Sequence, residues 1–147
     1  MYDRPRPHQA QPATTFDQML ERVRYEGAYP TRERAEEAVR AVLAALGRQL
    51  VGDERVDLAQ CLPVEAALAL TAQIPATERL TGWGFVKDLA TRTGTSPAVA
   101  RWDTGAVLAA VARLAGPDLL ARILRQLPDG YALLFGQAEL RRPQPAA

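Results

Sequence analysis

Apolar positions recur at three- and four-residue intervals along most of this chain, and the recurrence predicts one helix after another. Phe16, Met19, Leu20 and Val23 mark one face of a first helix. Thr15 caps it, with Gln18 three residues on completing a capping box, and Gly27 ends it. Pro30-Thr31 starts the chain again. Ala35, Ala38, Val39, Val42, Leu43, Leu46 and Leu50 then form a continuous stripe of helical period, the strongest pattern in the sequence. Glu33, Glu36 and Glu37 sit near its N-terminal end, where the helix dipole favours negative charge, and Arg40 lies one turn from Glu36. Gly52-Asp53 closes this helix and caps a third, carrying Val56, Leu58 and Leu62, and Pro63 opens a fourth that runs to about Gln73.

From Ile74 to Gly84 the pattern lapses. Pro75, Gly82 and Gly84 break any continuous helix and leave room for a single turn over Thr77 to Leu80, so Trp83 is expected in a glycine-flanked connector. Phe85 and Leu89 resume the helical face, Gly94 stops it, and Ser96-Pro97 is a cap followed by proline at the first helical position. Trp102, Val107, Leu108, Val111 and Leu114 continue as a long helix. Gly116-Pro117-Asp118 turns into Leu119, Leu120, Ile123, Leu124 and Leu127, and Pro128 opens a last helix with Tyr131, Leu133, Leu134 and Phe135. No alternating β-branched run argues for a strand. The expectation is an all-α fold of about eight helices.

The two halves of this pattern resemble each other. Ala41-Val42-Leu43-Ala44-Ala45 returns as Ala106-Val107-Leu108-Ala109-Ala110, and Leu62-Pro63 returns as Leu127-Pro128, both 65 residues later. In the same register Arg48 falls on Arg113, Asp53 on Asp118, Leu58 on Ile123 and Leu70 on Phe135. The first helices match at 69 residues, Phe16 with Phe85 and Leu20 with Leu89, so the corner from Gly27 to Pro30 is shorter in the second unit. A gapless register of this kind is the mark of a duplicated supersecondary unit. The sequence therefore predicts a single compact domain over 14–136, with repeat one at 14–74 and repeat two at 83–136 sharing one core. Residues 1–13, with three prolines among polar neighbours, read as a disordered tail, and 137–147 as a frayed one.

Chemistry enters mainly by what is missing. His8 is the sole histidine and lies in the first tail, which leaves no folded histidine for a triad, a metal pair or an axial haem ligand. Cys61 is the one cysteine, so no disulfide or CxxC pair forms within the chain, and no folded histidine activates it. Its equivalent is Gln126, which points to a half-buried position. The carboxylates cluster at helix starts, where capping and the dipole account for them. Gly82-Trp83-Gly84 lacks the later glycine and preceding strand of a dinucleotide fingerprint. No cofactor, metal or catalytic residue is assigned.

A net charge of +1 gives no field to attract nucleic acid, and no helix carries a basic stripe. No stretch approaches the roughly eighteen uncharged apolar residues of a membrane span. Without a signal-like run at the N-terminus, a cytoplasmic protein is expected. Charge is uneven between the halves, with seven basic and ten acidic residues over Thr14–Ile74 and nine basic and six acidic over Pro75–Ala147. Arg122 and Arg125 share a face, where the first unit has Asp57 and Gln60. That face is either simply solvated or a partner contact. Trp83, which has no counterpart in the first unit, either covers the seam between the units or anchors a partner. Trp83, Arg122 and Arg125 are thus the candidate partner contacts, and head-to-tail self-association between unlike halves is one form such contact takes. Phe85, Phe135 and Trp102 are assigned to packing.

These residues carry a family resemblance. A Phe16…Val23 helix, the run Ala41-Val42-Leu43-Ala44-Ala45-Leu46-Gly47-Arg48-Gln49-Leu50, then Leu62-Pro63, all repeated through Leu127-Pro128 to Leu134-Phe135, resembles the bacterial domain-of-unknown-function family 2267. The resemblance covers Phe16 to Gly136 and implies a compact two-unit helical module with no catalytic residues to carry over. The second unit departs from it where Ala112 stands for Gly47 and Ala115-Gly116-Pro117 for Leu50-Val51-Gly52, which leaves the end of its long helix open. The functional expectation is a non-catalytic interaction or regulatory module that binds a protein partner or itself. The alternative is a protein that holds a small apolar ligand in a cavity between the two units.

Overall fold

A computed structural model describes residues 14–137, and every regular element among them is helical. In chain order these are α1 (Phe16–Glu26), α2 (Arg32–Gly47), α3 (Gly52–Cys61), α4 (Val64–Thr71), α5 (Gly82–Thr93), α6 (Pro97–Ala115), α7 (Pro117–Gln126) and α8 (Tyr131–Leu134). His8 and nearly all of both expected tails lie outside the described residues.

Helix starts follow their capping residues. The Thr15 hydroxyl accepts the Gln18 backbone N–H at 3.1 Å, while the Gln18 side chain accepts the Thr15 N–H at 3.0 Å, closing the capping box. Thr31, Thr81 and Ser96 cap α2, α5 and α6 through the same hydroxyl-to-backbone contact.

The core is built on α2 and α6, which pack directly against each other. Val39, Val42, Leu43 and Leu46 from α2 and Val107, Leu108 and Val111 from α6 are wholly excluded from solvent. Buried alanines at 35, 38, 45, 100 and 110 let neighbouring backbones approach. Around this pair α1 packs on both α2 and α6, and α5 does the same. The corresponding short helices α3 and α7 also meet. Residues 65 apart touch there, since Arg122 donates to Asp57.

The structure corrects several details of the sequence reading. The second helix ends at Gly47 and not at Leu50, although Leu50 is fully buried in the turn that follows. Gly47 lies against the end of α4, and a Cβ there would come within 2.0 Å of the Leu70 carbonyl oxygen. In the second half α8 spans only four residues, and Ala112 stands at the position of Gly47. There α6 runs on through Ala112 to Ala115, and Gly116 turns the chain at a φ of 84°.

Gly82 and Gly84 do not break a helix but lie in the first turn of α5, so Trp83 is helical. A Cβ on Gly82 would fall within 2.7 Å of the Gly130 backbone, and the Gly82 N–H donates to the Asp129 carbonyl at 2.8 Å. That docking holds Asp129-Gly130 as a turn, and the last helix begins at Tyr131 instead of at Pro128. No helical turn forms over Thr77–Leu80; the segment is an irregular connector. It is fixed by Gln49, which accepts the Leu80 N–H at 3.0 Å, and by the Tyr131 hydroxyl, which donates to the Leu80 carbonyl at 2.9 Å.

Arg55 has a structural role that no periodicity reveals. Its guanidinium donates to the carbonyls of Gly47, Leu50 and Gln73, gathering the C-terminal ends of α2 and α4 around one cation.

Two substitutions test this packing. Leu46→Ala removes a fully buried side chain and is expected to cost about 2–5 kcal/mol in chemical denaturation; a loss near zero contradicts the core. Gly47→Ala is expected to cost about 3 kcal/mol because the Leu70 carbonyl must move, whereas Ala112→Gly is expected to cost only about 1 kcal/mol of helix propensity. Equal costs at the two positions would contradict the close approach of α2 and α4.

Candidate functional site

The corner between α1 and α2 supplies one side of the site. The chain turns at Gly27 and Ala28, the latter at a φ of 54°, a left-handed conformation that costs a non-glycine residue about 1 kcal/mol. Backbone N–H groups of Ala28 and Tyr29 donate back to Tyr25 and Arg24. The Tyr29 ring folds over Gly27, where a Cβ would meet it at 2.3 Å. The turn thereby drives Tyr29 inward, leaving it 7% exposed.

Helix α6 supplies the other side. Ala100, Asp103, Thr104, Val107, Leu108, Ala110 and Val111 are its buried positions, and that phase puts Trp102 at the edge of the face, 58% exposed. Assignment of Trp102 to core packing was therefore wrong. Its indole N–H nevertheless donates to the Gly27 carbonyl at 2.7 Å, tying α6 to the corner.

Asp103 is buried and meets two partners from the first half of the chain. The Tyr29 hydroxyl donates to its Oδ1 at 2.6 Å, and Arg34 Nη2 donates to Oδ1 at 3.1 Å and Oδ2 at 2.9 Å. The Arg34 guanidinium also lies 5.1 Å from the centre of the Tyr29 ring, within cation–π range. Hydrogen bonding to Asp103 raises the Arg34 pKa against the opposing effect of burial, so the guanidinium stays charged. Burial first, then the hydrogen bond and charge of Asp103, push the Tyr29 phenol well above the usual tyrosine value. The proton stays on Tyr29.

Outside this cluster lies a recess of about 340 Å³, lined by Ala28, Tyr29, Arg34, Val99, Trp102 and Asp103 among others. A larger open groove of about 760 Å³ lies between α1 and α6, where Met19, Tyr25, Ala110 and Leu114 meet Asp17, Arg22 and Arg113.

The residues singled out from sequence lie elsewhere. Trp83 is 59% exposed in the first turn of α5. Arg122 does not form a solvated basic face, because it donates to Glu54 and Asp57 of the same chain. Arg125 is exposed and makes no ion pair among the described residues. No hydrogen bond among the described residues joins Trp83 to either arginine. Cys61 is half-buried, and burial, then Asp57, raises its thiol pKa away from the reactive thiolate. Among the described residues no group of three His, Cys, Asp or Glu side chains gathers to hold a metal ion. No helix there is long and apolar enough to cross a membrane.

Sequence reading missed the Tyr29–Arg34–Asp103 cluster, although two signals for it were present. The corner that changes the repeat offset from 69 to 65 is the segment that carries Tyr29, and Asp103 occupies an inward helical phase where its equivalent is Ala38.

Two measurements test the cluster. Asp103→Ala strands the Tyr29 hydroxyl and Arg34 and is expected to cost on the order of 2 kcal/mol in denaturant unfolding. A change within a few tenths of that zero line would remove its structural importance. Stability is also expected to fall as pH rises past about 10, because the unfolded chain releases the tyrosine proton while folded Tyr29 keeps it. Burial raises the Tyr131 phenol in the same direction, so Tyr29→Phe is expected to reduce that alkaline slope without abolishing it, whatever its effect at neutral pH; an unchanged slope contradicts the assignment.

Comparison with known proteins adds family membership and no activity. Among curated proteins none matches this sequence. The family model described as "Uncharacterized conserved protein (DUF2267)" matches residues 16–134, which takes in all eight helices. Over that span the chain belongs to the DUF2267 family.

Proposed function

We propose that this protein is a non-catalytic interaction or regulatory module that works in the cytoplasm by binding another polypeptide. The observation that carries this reading is the recess beside α6. There an exposed tryptophan and a half-exposed valine stand next to a tyrosine and an arginine already locked in place by Asp103. Tryptophan, tyrosine and arginine are the residue types in which interface binding energy concentrates. Preorganisation by the buried carboxylate lowers the ordering cost of binding there. Asp103 is committed to Tyr29 and Arg34, so the buried carboxylate holds the other two in place, which supports positioning over turnover. We also read the two four-helix sets as a duplicated unit with a shared core, because α2 meets α6, α3 meets α7, and α1 and α5 make reciprocal contacts.

A small apolar ligand between the two units is the second reading, favoured by the groove between α1 and α6. Four charged side chains line that groove (Asp17, Glu21, Arg22 and Arg113), so it is a poorer fit to an apolar guest than the recess is to a partner side chain.

Site-specific photocrosslinking separates a defined interface from an inert surface. A crosslinker at Val99 is expected to capture one discrete partner in cells, with capture lost in Trp102→Ala. A crosslinker at Leu68, exposed on α4, is the control. The same adducts from both positions, or none beyond the monomer, would contradict the reading.

A further inference from the structure

Resting on the interaction reading, we propose that the recess binds an acidic peptide segment of a partner, with a carboxylate on Arg34 and a neighbouring apolar side chain against Trp102 and Val99. The hydrogen-bond inventory points to the carboxylate. Both oxygens of Asp103 already accept from Tyr29 or Arg34, and the Trp102 N–H is taken by the Gly27 carbonyl. Arg34 uses only Nη2 on Asp103, and among the described residues no acceptor meets its Nε or Nη1. The charged side chains lining the recess are these two, and the N–H groups left free on them belong to Arg34.

A guanidinium with three N–H groups to spare is matched by a carboxylate, which accepts a charge-assisted hydrogen bond from one of them. Its orientation is already fixed, because Arg34 is held between the Tyr29 ring and Asp103. Glu37, the acidic residue whose charge acts on Arg34, lies one turn along α2 and does not line the recess. Trp102 and Val99 sit on consecutive turns of α6, and both retain solvent-exposed apolar surface for a side chain next to the acid.

Three variants keep this falsifiable. In a Trp83→Phe background, Trp102 is the one indole left, and its fluorescence reports on the recess directly. The probes are an immobilised set of short peptides pairing Glu or Asp with Leu or Phe, the matching Gln/Asn peptides, basic counterparts, and free N-acetylglutamate. The expected result is a saturable change in Trp102 emission with the acidic–apolar peptides, roughly tenfold weaker with their amide versions. Arg34→Lys is expected to reduce binding to a similar extent. Val99→Glu is the variant that guards against unfolding. Position 99 is the third residue of α6 and its N–H already bonds the Ser96 hydroxyl, so a glutamate there completes a capping box while setting a carboxylate at the recess mouth. It is expected to leave thermal stability unchanged and to abolish peptide binding.

Binding of neutral or basic peptides with equal strength, still dependent on Trp102, would overturn the acidic-segment proposal and leave the interaction reading standing. Binding of N-acetylglutamate as tight as the peptides would overturn it in favour of a small dicarboxylate. Absence of any peptide binding, or binding unaffected by Val99→Glu, would overturn it outright.

Discussion

Two alanine-rich helices lying directly on one another are the constraint from which the remaining geometry follows. α2 and α6 each bury side chains against more than one neighbour, and small residues along them let those neighbours come close. Close approach fixes backbone positions to fractions of an ångström, since a well-packed interior does not deform continuously. Where the end of α2 meets such a neighbour, at Gly47 against the Leu70 carbonyl, there is no room for even one methyl group. α4 and α8 differ in length, as do α2 and α6, so two similar sequences take different local courses.

Polar groups divide their work along the same lines. Arg55 gathers helix carbonyls, Gln49 fixes the connector, and Arg122 joins α7 to α3 through Glu54 and Asp57. Each holds one segment to another. Asp103 does the same for α6, α2 and the corner at Gly27, but at a place where the surface is concave and carries an exposed indole. That coincidence of rigid support and open apolar surface makes the recess the site most suited to recognition. The exposed pairs Arg22–Glu26, Arg40–Glu36 and Arg92–Asp88 lie one helical turn apart and contribute only a few tenths of a kcal/mol each.

Much of the fold was legible in the sequence because caps and stripes act locally. Thr15 with Gln18, Thr31 and Ser96-Pro97 each open a helix where their chemistry demands one, and the inward residues of α2 follow the 3.6-residue period. Features set by distant contacts were not legible. Leu50 fits the α2 stripe and is buried, yet the helix has already ended at Gly47, where it meets α4 and where Arg55 takes up the carbonyls. Trp102 reads as part of an apolar stripe in the sequence, although the phase set by Val107 and Val111 puts Asp103 and Thr104 inside in its stead. The site was hidden for a related reason. A buried aspartate reads as a surface residue until the tyrosine and arginine that satisfy it, 74 and 69 positions away, are brought to it.

Native-state hydrogen exchange of the α2 and α6 amides tests the central claim, that both halves of the chain depend on one shared core. If that core is shared, the slowest amides of the two helices open with the same free energy, equal to that of global unfolding, and Leu46→Ala in α2 lowers protection equally in α6. Loss of protection confined to α2, with α6 amides unchanged in the variant, would show two independently stable halves and contradict it.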